Sequence, residues 1–393
     1  MDKQEFLHRY LVDRHGTDCT KWDGLKEKFG ESDLIAMWVA DMEFKTCDEI
    51  VNAMVKRTHQ GVFGYSCVSE EYYQIFSNWM DRRYHFPVQK EWVRFSTGCV
   101  TAIAWMINAF TRTGDACMIL TPVYYPFHNV VTNNERKLVK VELAYNDGYF
   151  TMDYETIEKA IVNNQVKLFI QCSPHNPVGR VWSEEELEKV LAICRKHNVL
   201  VVSDEIHQDI VLGDKPFVPA AVVSKGKYQD IVITLNSASK TFNLATLLHS
   251  HIIIINDELR MIYDKFASAL NRTEVSVMGM VATKAGYTYG EEWLGHVLDV
   301  VRDNYQYLRN ELNKRLPKLK VCALEGTYLV LLDLRSYVEP EQTMDFVQRR
   351  CRLAVDYGEW FGENYHGFIR LNLATDPAFI KYAVENIIAN AEK

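Results

Sequence analysis

Lys240 stands in "NSASKTFNLA", residues 236–245, between serines at 237 and 239 and a threonine at 241. Most lysines are solvated surface charges. This one follows the apolar run "DIVITL" and so sits at a strand end. An amine buried there, close to other positive charge, loses basicity and becomes nucleophilic toward a carbonyl. Ser237 and Ser239 add hydroxyls that can hold phosphate oxygens. One strand earlier, "VVSDEIH" sets Asp204 and Glu205 behind another apolar run, where an unpaired carboxylate is costly. An arginine would satisfy it, and so would the protonated nitrogen of a ring ligand; the residues alone do not choose between them.

Three further stretches carry weaker signals. "STG", before Cys99 and Val100, closes one strand and opens a helix whose free N–H groups and dipole suit a phosphate. The ordinary alternative is a helix cap made by Ser96 or Thr97. "TPVYYPF" puts Tyr124 just past a strand, either as a loop aromatic or as a ring stacked on a planar ligand. "SPHNPVG" holds Asn176 between two prolines that stiffen its loop, where an asparagine commonly bonds its own backbone. No Walker A lysine and no GxGxxG occurs, which argues against the common nucleotide sites.

These residues need a frame that brings them together. The middle of the chain alternates apolar strands with amphipathic helices. One of the helices is "SEEELEKVLAICRKHN", with a capping box from Ser183 to Glu186. That pattern reads as an α/β fold, a mostly parallel sheet covered by helices on both faces. Ligands bind such sheets beyond the carboxyl ends of the strands, and the residues above fall at those ends. A phosphate cradle, a stacking ring, a carboxylate for a ring nitrogen and an amine for an aldehyde together describe pyridoxal 5′-phosphate (PLP). The C-terminal third reads differently, with a long helix over roughly 287–316, the strand-like "KVCALEGTYLVLLDL", a helix around 341–352, "FIRLNLAT" and a last helix. The expected division is a large cofactor-binding domain over 46–286 and a smaller α+β domain from 1–45 and 287–393.

Composition sets bounds on partners. The chain has 393 residues, 48% hydrophobic and 24% charged, the profile of a soluble globular protein. A net charge of −8 argues against general nucleic-acid binding. The start, "MDKQEFLHRYLVDRHG", lacks the apolar core of a signal peptide, and "HSHIIIIN" is too short to span a bilayer. Nine scattered cysteines without a CxxC pair read as reduced thiols in a cytoplasmic protein, with no disulfide or zinc framework.

The "SDE" at 203–205, the "SASK" at 237–240 and the "HNPVG" loop at 175–179 resemble the PLP-dependent aminotransferase superfamily of fold type I. "MWVADMEF" at 37–44, "GYSCVSEEYY" at 64–73, "SDEIH" and "SKTFN" resemble its MalY/PatB subgroup of cystathionine β-lyases, or C–S lyases. The resemblance implies that Lys240 holds PLP as a Schiff base and shuttles protons. It pairs Asp204 with the pyridine nitrogen, stacks Tyr124 on the ring and bonds Asn176 to the ring hydroxyl. Gly98, Cys99 and Val100 offer amides to the phosphate, Ser237 and Ser239 their hydroxyls, and His207 is a further cofactor contact. Arg370, in "FIRLNLA", grips the substrate α-carboxylate, with Asn176, Val39 and Ala40 beside it. Tyr65 reaches the phosphate of the neighbouring subunit, so a homodimer with shared sites is implied.

The implied reaction is α,β-elimination of L-cystathionine, L-cysteine or a related S-conjugate to pyruvate, ammonia and a thiol, which is homocysteine or hydrogen sulfide. Some positions depart from the pattern. Leu248 stands where many aminotransferases of this fold carry a phosphate-binding arginine, Ala36 replaces a usual proline and Glu43 a usual aspartate. Two other readings stay open at this point: an aminotransferase using the same cofactor, and a regulatory protein that keeps the fold and docks a protein partner.

Overall fold

A computed structural model describes residues 1–271 and 275–391. Seven strands form the central sheet: β1 (Val93–Ser96), β2 (Ala116–Thr121), β3 (Lys137–Glu142), β4 (Leu168–Cys172), β5 (Leu200–Asp204), β6 (Val232–Asn236) and β7 (Ser250–Ile253). Their order is β1-β7-β6-β5-β4-β2-β3. All run parallel except β7, which lies antiparallel between β1 and β6. The link from β6 to β7 holds only the short helix Ala238–Thr241 and the turn Ala245–Leu247. Neither is long enough to cross back over the sheet, so the chain returns beside β6 in the opposite direction.

Strands β2, β4 and β6 are buried along their whole length, because helices cover both faces. On one face α2 (Cys99–Phe110) and α4 (Asp257–Ala269) pack over Ile119, Ile170, Val202 and Ile233. On the other lies α3 (Glu184–Lys196), with its Ser183–Glu186 capping box formed, over Phe169 and Val201. Alternation along β5 therefore sends Val202 and Asp204 toward α2, and Val201 and Glu205 the other way. Cys172 lies opposite Asp204, and Asp204 opposite Leu235, so the ends of β4, β5 and β6 are level.

A second sheet is antiparallel. It contains β8 (Lys320–Val321), β9 (Leu329–Asp333), β10 (Asp356–Tyr357) and β11 (Phe368–Asn372) in the order β8-β9-β11-β10. Its register places Asp356 directly opposite Arg370. Near the N-terminus, Ile35–Ala36 pairs in parallel with Leu353–Ala354. Asn372 N–H then donates to the Met37 carbonyl at 2.9 Å, which lays residues 37–44 along this sheet as a strap.

Two sequence expectations in this part of the chain need correction. The helix placed over 287–316 is two helices, α5 (Val277–Tyr289) and α6 (Glu291–Arg315), broken at Gly290. A Cβ at Gly290 would lie 2.4 Å from the Phe242 ring, so the break is a close packing point that only glycine fits. The helix placed around 341–352 is a 3₁₀ turn at Pro340–Gln342 followed by a π-helical turn at Asp345–Arg350. The last helix, α7 (Pro377–Ala391), forms as the pattern indicates.

Candidate active site

Beyond the ends of β4, β5 and β6 lies a cavity of about 200 Å³. Gly98, Cys99, Val100, Tyr124, Asn176, Asp204, His207, Ser237, Ser239, Lys240 and Ala40 all line it. Residues separated by up to 200 positions meet there because the level strand ends deliver them to one place.

At one part of the wall α2 begins. Its N-cap is Gly98, which has no side chain to cap the helix. Ser96 Oγ donates to the Gly98 carbonyl at 3.1 Å, so the serine cap considered from sequence does not form. The first-turn N–H groups of Cys99, Val100 and Thr101 have no intrahelical partner, no acidic residue stands in that turn, and open space extends at least 4 Å from the Cβ position at Gly98. Such a helix end has the donors and the room to seat an anion. Ser237 and Ser239 flank it. Ser239 N–H donates to Ser237 Oγ at 3.1 Å, and Ser237 Oγ donates to the His249 carbonyl at 2.7 Å. The Ser237 proton is thus already engaged, while among the described residues Ser239 Oγ has no partner. Leu248 is half-exposed with φ 52° and lies outside the cavity wall, so the leucine side chain makes no part of it.

Asp204 is 4% exposed and makes no ion pair among the described residues. Its carboxylate accepts from Ile206 N–H at 3.1 Å and from the Cys99 thiol. The arginine partner that the sequence left open is not there. Burial pushes its carboxyl up to about 7, against the pull of the Lys240 ammonium. Glu205, equally buried and pushed up to about 8 by burial, faces away; its Oε1 accepts from Ser203 Oγ at 2.9 Å and Ala220 N–H at 2.8 Å. The two adjacent acids therefore have separate environments, and only Asp204 meets the cavity.

Lys240 is held by the strap, its Nζ donating to the Ala40 carbonyl at 2.6 Å. Burial pushes its amine down to about 8, with Arg370 acting in the same direction and Asp41 and Asp204 opposing. An amine with that basicity is partly neutral near neutral pH, as a nucleophile or a base requires. Tyr124 N–H donates to the Asn176 carbonyl at 3.1 Å, which fixes the two loops to each other, and burial pushes the Tyr124 phenol up to about 12. Asn176 does not bond its own backbone; its Oδ1 accepts from Arg370 Nη1 at 2.9 Å, and the remaining amide N–H groups are open toward the cavity. His207 is buried and held neutral by burial, with Nδ1 unpartnered among the described residues.

Arg370 is buried behind Asn176 and reaches the cavity through it. Nη2 donates to the Trp38 carbonyl at 2.8 Å and to the Asp356 carboxylate. Val39 is not brought into the wall. Its carbonyl accepts from Asn372 Nδ2 at 2.7 Å, and its side chain packs on the cluster around Trp22 and Trp38. Tyr65 is 99% exposed, outside this chain's cavity. Glu43 also lies elsewhere, 2.6 Å from the buried Lys21 ammonium.

Three residues of the site were not singled out from sequence. Tyr328 donates its hydroxyl to the same Ala40 carbonyl at 2.8 Å. Asn372 Nδ2 bridges the carbonyls of Val39 and Asp41, which fixes the carbonyl between them toward Lys240. Asp356 could have been found by the rule applied to Asp204, since it is an acid inside the short apolar run "LAVDY".

The chain is 35% identical over 381 residues to the cystathionine β-lyase PatB of Bacillus subtilis, covering 96% of this chain and 97% of that one. Among solved structures it matches cystalysin from Treponema denticola, which contains a pyridoxal 5′-phosphate cofactor. The TM-score is 0.92 at 32% identity, over 97% of this chain and 98% of that one. It also matches the PLP-bound C–S lyase from Staphylococcus hominis, with a TM-score of 0.91 at 33% identity, over 98% of this chain and 97% of that one. Residues 32–387 fit the family described as aminotransferase class I and II, and the chain belongs to that family.

Proposed function

We propose that this protein is a PLP-dependent carbon–sulfur β-lyase that cleaves L-cystathionine, L-cysteine or related S-conjugates to pyruvate, ammonia and a thiol. The observation that carries the reading is the pair formed by Lys240 and Asp204 on the wall of one cavity, a buried amine of lowered basicity and a buried carboxylate without a cation. Together with the anion seat at α2, these features fit the cofactor. An aldehyde suits Lys240, a protonated pyridine nitrogen suits Asp204 and a phosphate suits the free amides. When bound, PLP supplies an electron sink for a carbanion formed at the substrate α-carbon.

The remaining steps belong to the chain's own residues. Asn176 and Tyr124 position the ring, and Asp204 holds a proton on the ring nitrogen. Arg370 receives the substrate carboxylate. The Lys240 amine, when free, would take the proton from Cα, with the Ala40 carbonyl fixing its direction. Loss of that proton breaks the Cβ–S bond, and the sulfur leaves with the electron pair. Lys240 returns the proton to the leaving thiolate. Water completes the reaction, giving pyruvate, ammonia and one thiol for each substrate consumed.

An aminotransferase would share every residue named here and differ in where the proton is returned. The test is stoichiometric. With L-cystathionine and no keto acid, the purified protein is expected to release pyruvate, ammonia and homocysteine in equal amounts over many turnovers. Stalling after one turnover, relieved by adding a keto acid, would establish transamination instead. Running the same assay with L-cysteine and S-methylcysteine ranks the substrates and shows whether hydrogen sulfide is released.

The active unit is a homodimer in this reading, and the protein is cytoplasmic. No helix among the described residues is long and apolar enough to cross a membrane. Val62, Phe63 and Tyr65 stand exposed together on the segment between the helix Asp48–Gln60 and α1 (Glu70–Tyr84). A second copy covering them would remove that apolar surface from water and take the Tyr65 hydroxyl to its own anion seat. Tyr65→Phe subunits mixed with Lys240→Ala subunits are expected to be more active than either parent homodimer, since one site in each mixed dimer then carries neither defect. Absence of rescue in a preparation shown to contain mixed dimers would remove Tyr65 from the partner's site.

A further inference from the structure

Arg370 is not waiting with its donors free. A guanidinium has five N–H groups, and a carboxylate is gripped through two of them on neighbouring nitrogens. Both forks of the group, Nε with Nη2 and Nη1 with Nη2, include Nη2. In this chain the two Nη2 hydrogens are already spent, one on the Trp38 carbonyl at 2.8 Å and one on the Asp356 carboxylate. One Nη1 hydrogen goes to Asn176 Oδ1 at 2.9 Å, and Nε is buried without a partner. The arginine is thus oriented and neutralised from one side and left with isolated donors on the other.

Asp356 is likewise tied to this one cation. It lies on β10 directly across from Arg370 on β11 and is 3% exposed. The other charged or titratable groups facing it are Lys28, on the helix Leu25–Phe29, and the phenols of Tyr124 and Tyr125. Lys28 also lies over the Trp360 ring at 4.3 Å, and among these groups only Arg370 touches the Asp356 carboxylate. An incoming α-carboxylate would make one buried cation face two buried anions, an arrangement that low dielectric strongly disfavours.

We propose that Asp356 is a built-in competitor for Arg370, which holds the guanidinium in the substrate-free protein and yields it, with uptake of a proton, when an amino-acid carboxylate binds. This rests on the reading that Arg370 is the carboxylate receptor. Burial already holds the Asp356 carboxyl above its ordinary value, against the pull of Arg370 and Lys28, and a second anion beside the same cation would push it in the same direction. The competitor keeps a desolvated arginine paired between turnovers and couples substrate affinity to pH.

The probe is 3-(methylthio)propionate, which has a carboxylate and a sulfur but no α-amino group and so cannot react. Its Kd is measured on the PLP-loaded protein by calorimetry from about pH 6.5 to 8.5. For the wild type the Kd is expected to rise with pH, by up to about tenfold per unit. Asp356→Asn is expected to bind at least about tenfold tighter near pH 8, with the pH slope largely gone. Asp356→Ser serves the same purpose if the asparagine variant does not load cofactor. Unchanged Kd and slope in a variant that binds PLP normally would overturn the proposal. Arg370→Lys separates the two readings. If it binds the probe like wild type, the receptor assignment fails; if it loses the probe while the Asp356 variants match wild type, only the competitor fails.

Discussion

Lys240→Ala is expected to abolish covalent attachment of PLP and nearly all turnover. In wild type, borohydride should bleach the yellow absorbance and fix the cofactor to one peptide containing Lys240. The variant should yield no fixed adduct at all. Lys240 is proposed for three tasks with one atom: it holds the aldehyde, removes the Cα proton and returns a proton to the leaving sulfur. Loss of proton transfer alone costs roughly 10²–10⁴-fold in rate. The surroundings of this amine set it apart from an ordinary lysine. The Lys240 Nζ is fixed by the Ala40 carbonyl, which is in turn held by Tyr328 and by the bridging Asn372. It also has the lowered basicity that burial brings, with a pKa of about 8. An adduct mapped to a different lysine, or full turnover in the alanine variant, would end the assignment.

Asp204→Asn is expected to have opposite effects on the loaded and the cofactor-free protein. With cofactor, the variant loses the anion that keeps a pyridine nitrogen protonated, so Cα deprotonation slows and PLP is retained less well. Breaking a buried pair by removing one partner is worth about 3–5 kcal/mol, roughly two to nearly four orders of magnitude in affinity or rate. Without cofactor, the same change is expected to stabilise. The carboxyl is raised from an unfolded value of about 4 to about 7 in the folded state, so the folded protein binds the extra proton. Stability is therefore lost as pH rises from about 4 through about 7 and stays lost above that. The cofactor-free variant should melt higher than wild type near pH 8, with the gap closing toward pH 4–5. Glu205 adds a term of the same sign in both proteins; losing the Asp204 charge, the smallest of its causes, lowers it slightly in the variant and so acts in the same direction. A cofactor-free variant that melts lower than wild type at pH 8, or a loaded variant with wild-type rates, would remove Asp204 from the role.

Local chemistry made much of this protein legible from its residues alone. Apolar strands, a capping box and polar residues at strand ends are short-range signals. They established the α/β class and collected Gly98, Tyr124, Asn176, Asp204 and Lys240 as candidates, and all of these line one cavity. What needed tertiary structure was any decision made by a neighbour distant in sequence. The direction of β7 follows from the lack of a crossover helix in its connection. The break at Gly290 follows from the Phe242 ring, 48 positions earlier, pressing on the helix. Periodicity sees neither. Strand patterning by itself also does not say which of two adjacent acids meets the cavity. The pleat of β5 decides it, turning Asp204 toward α2 and the cavity and Glu205 toward Ala220. Arg370 shows the same limit. Its identity was readable, but the partner that occupies it comes from the register of β10 against β11, and strand pairing is set by long-range contacts that no local stretch encodes.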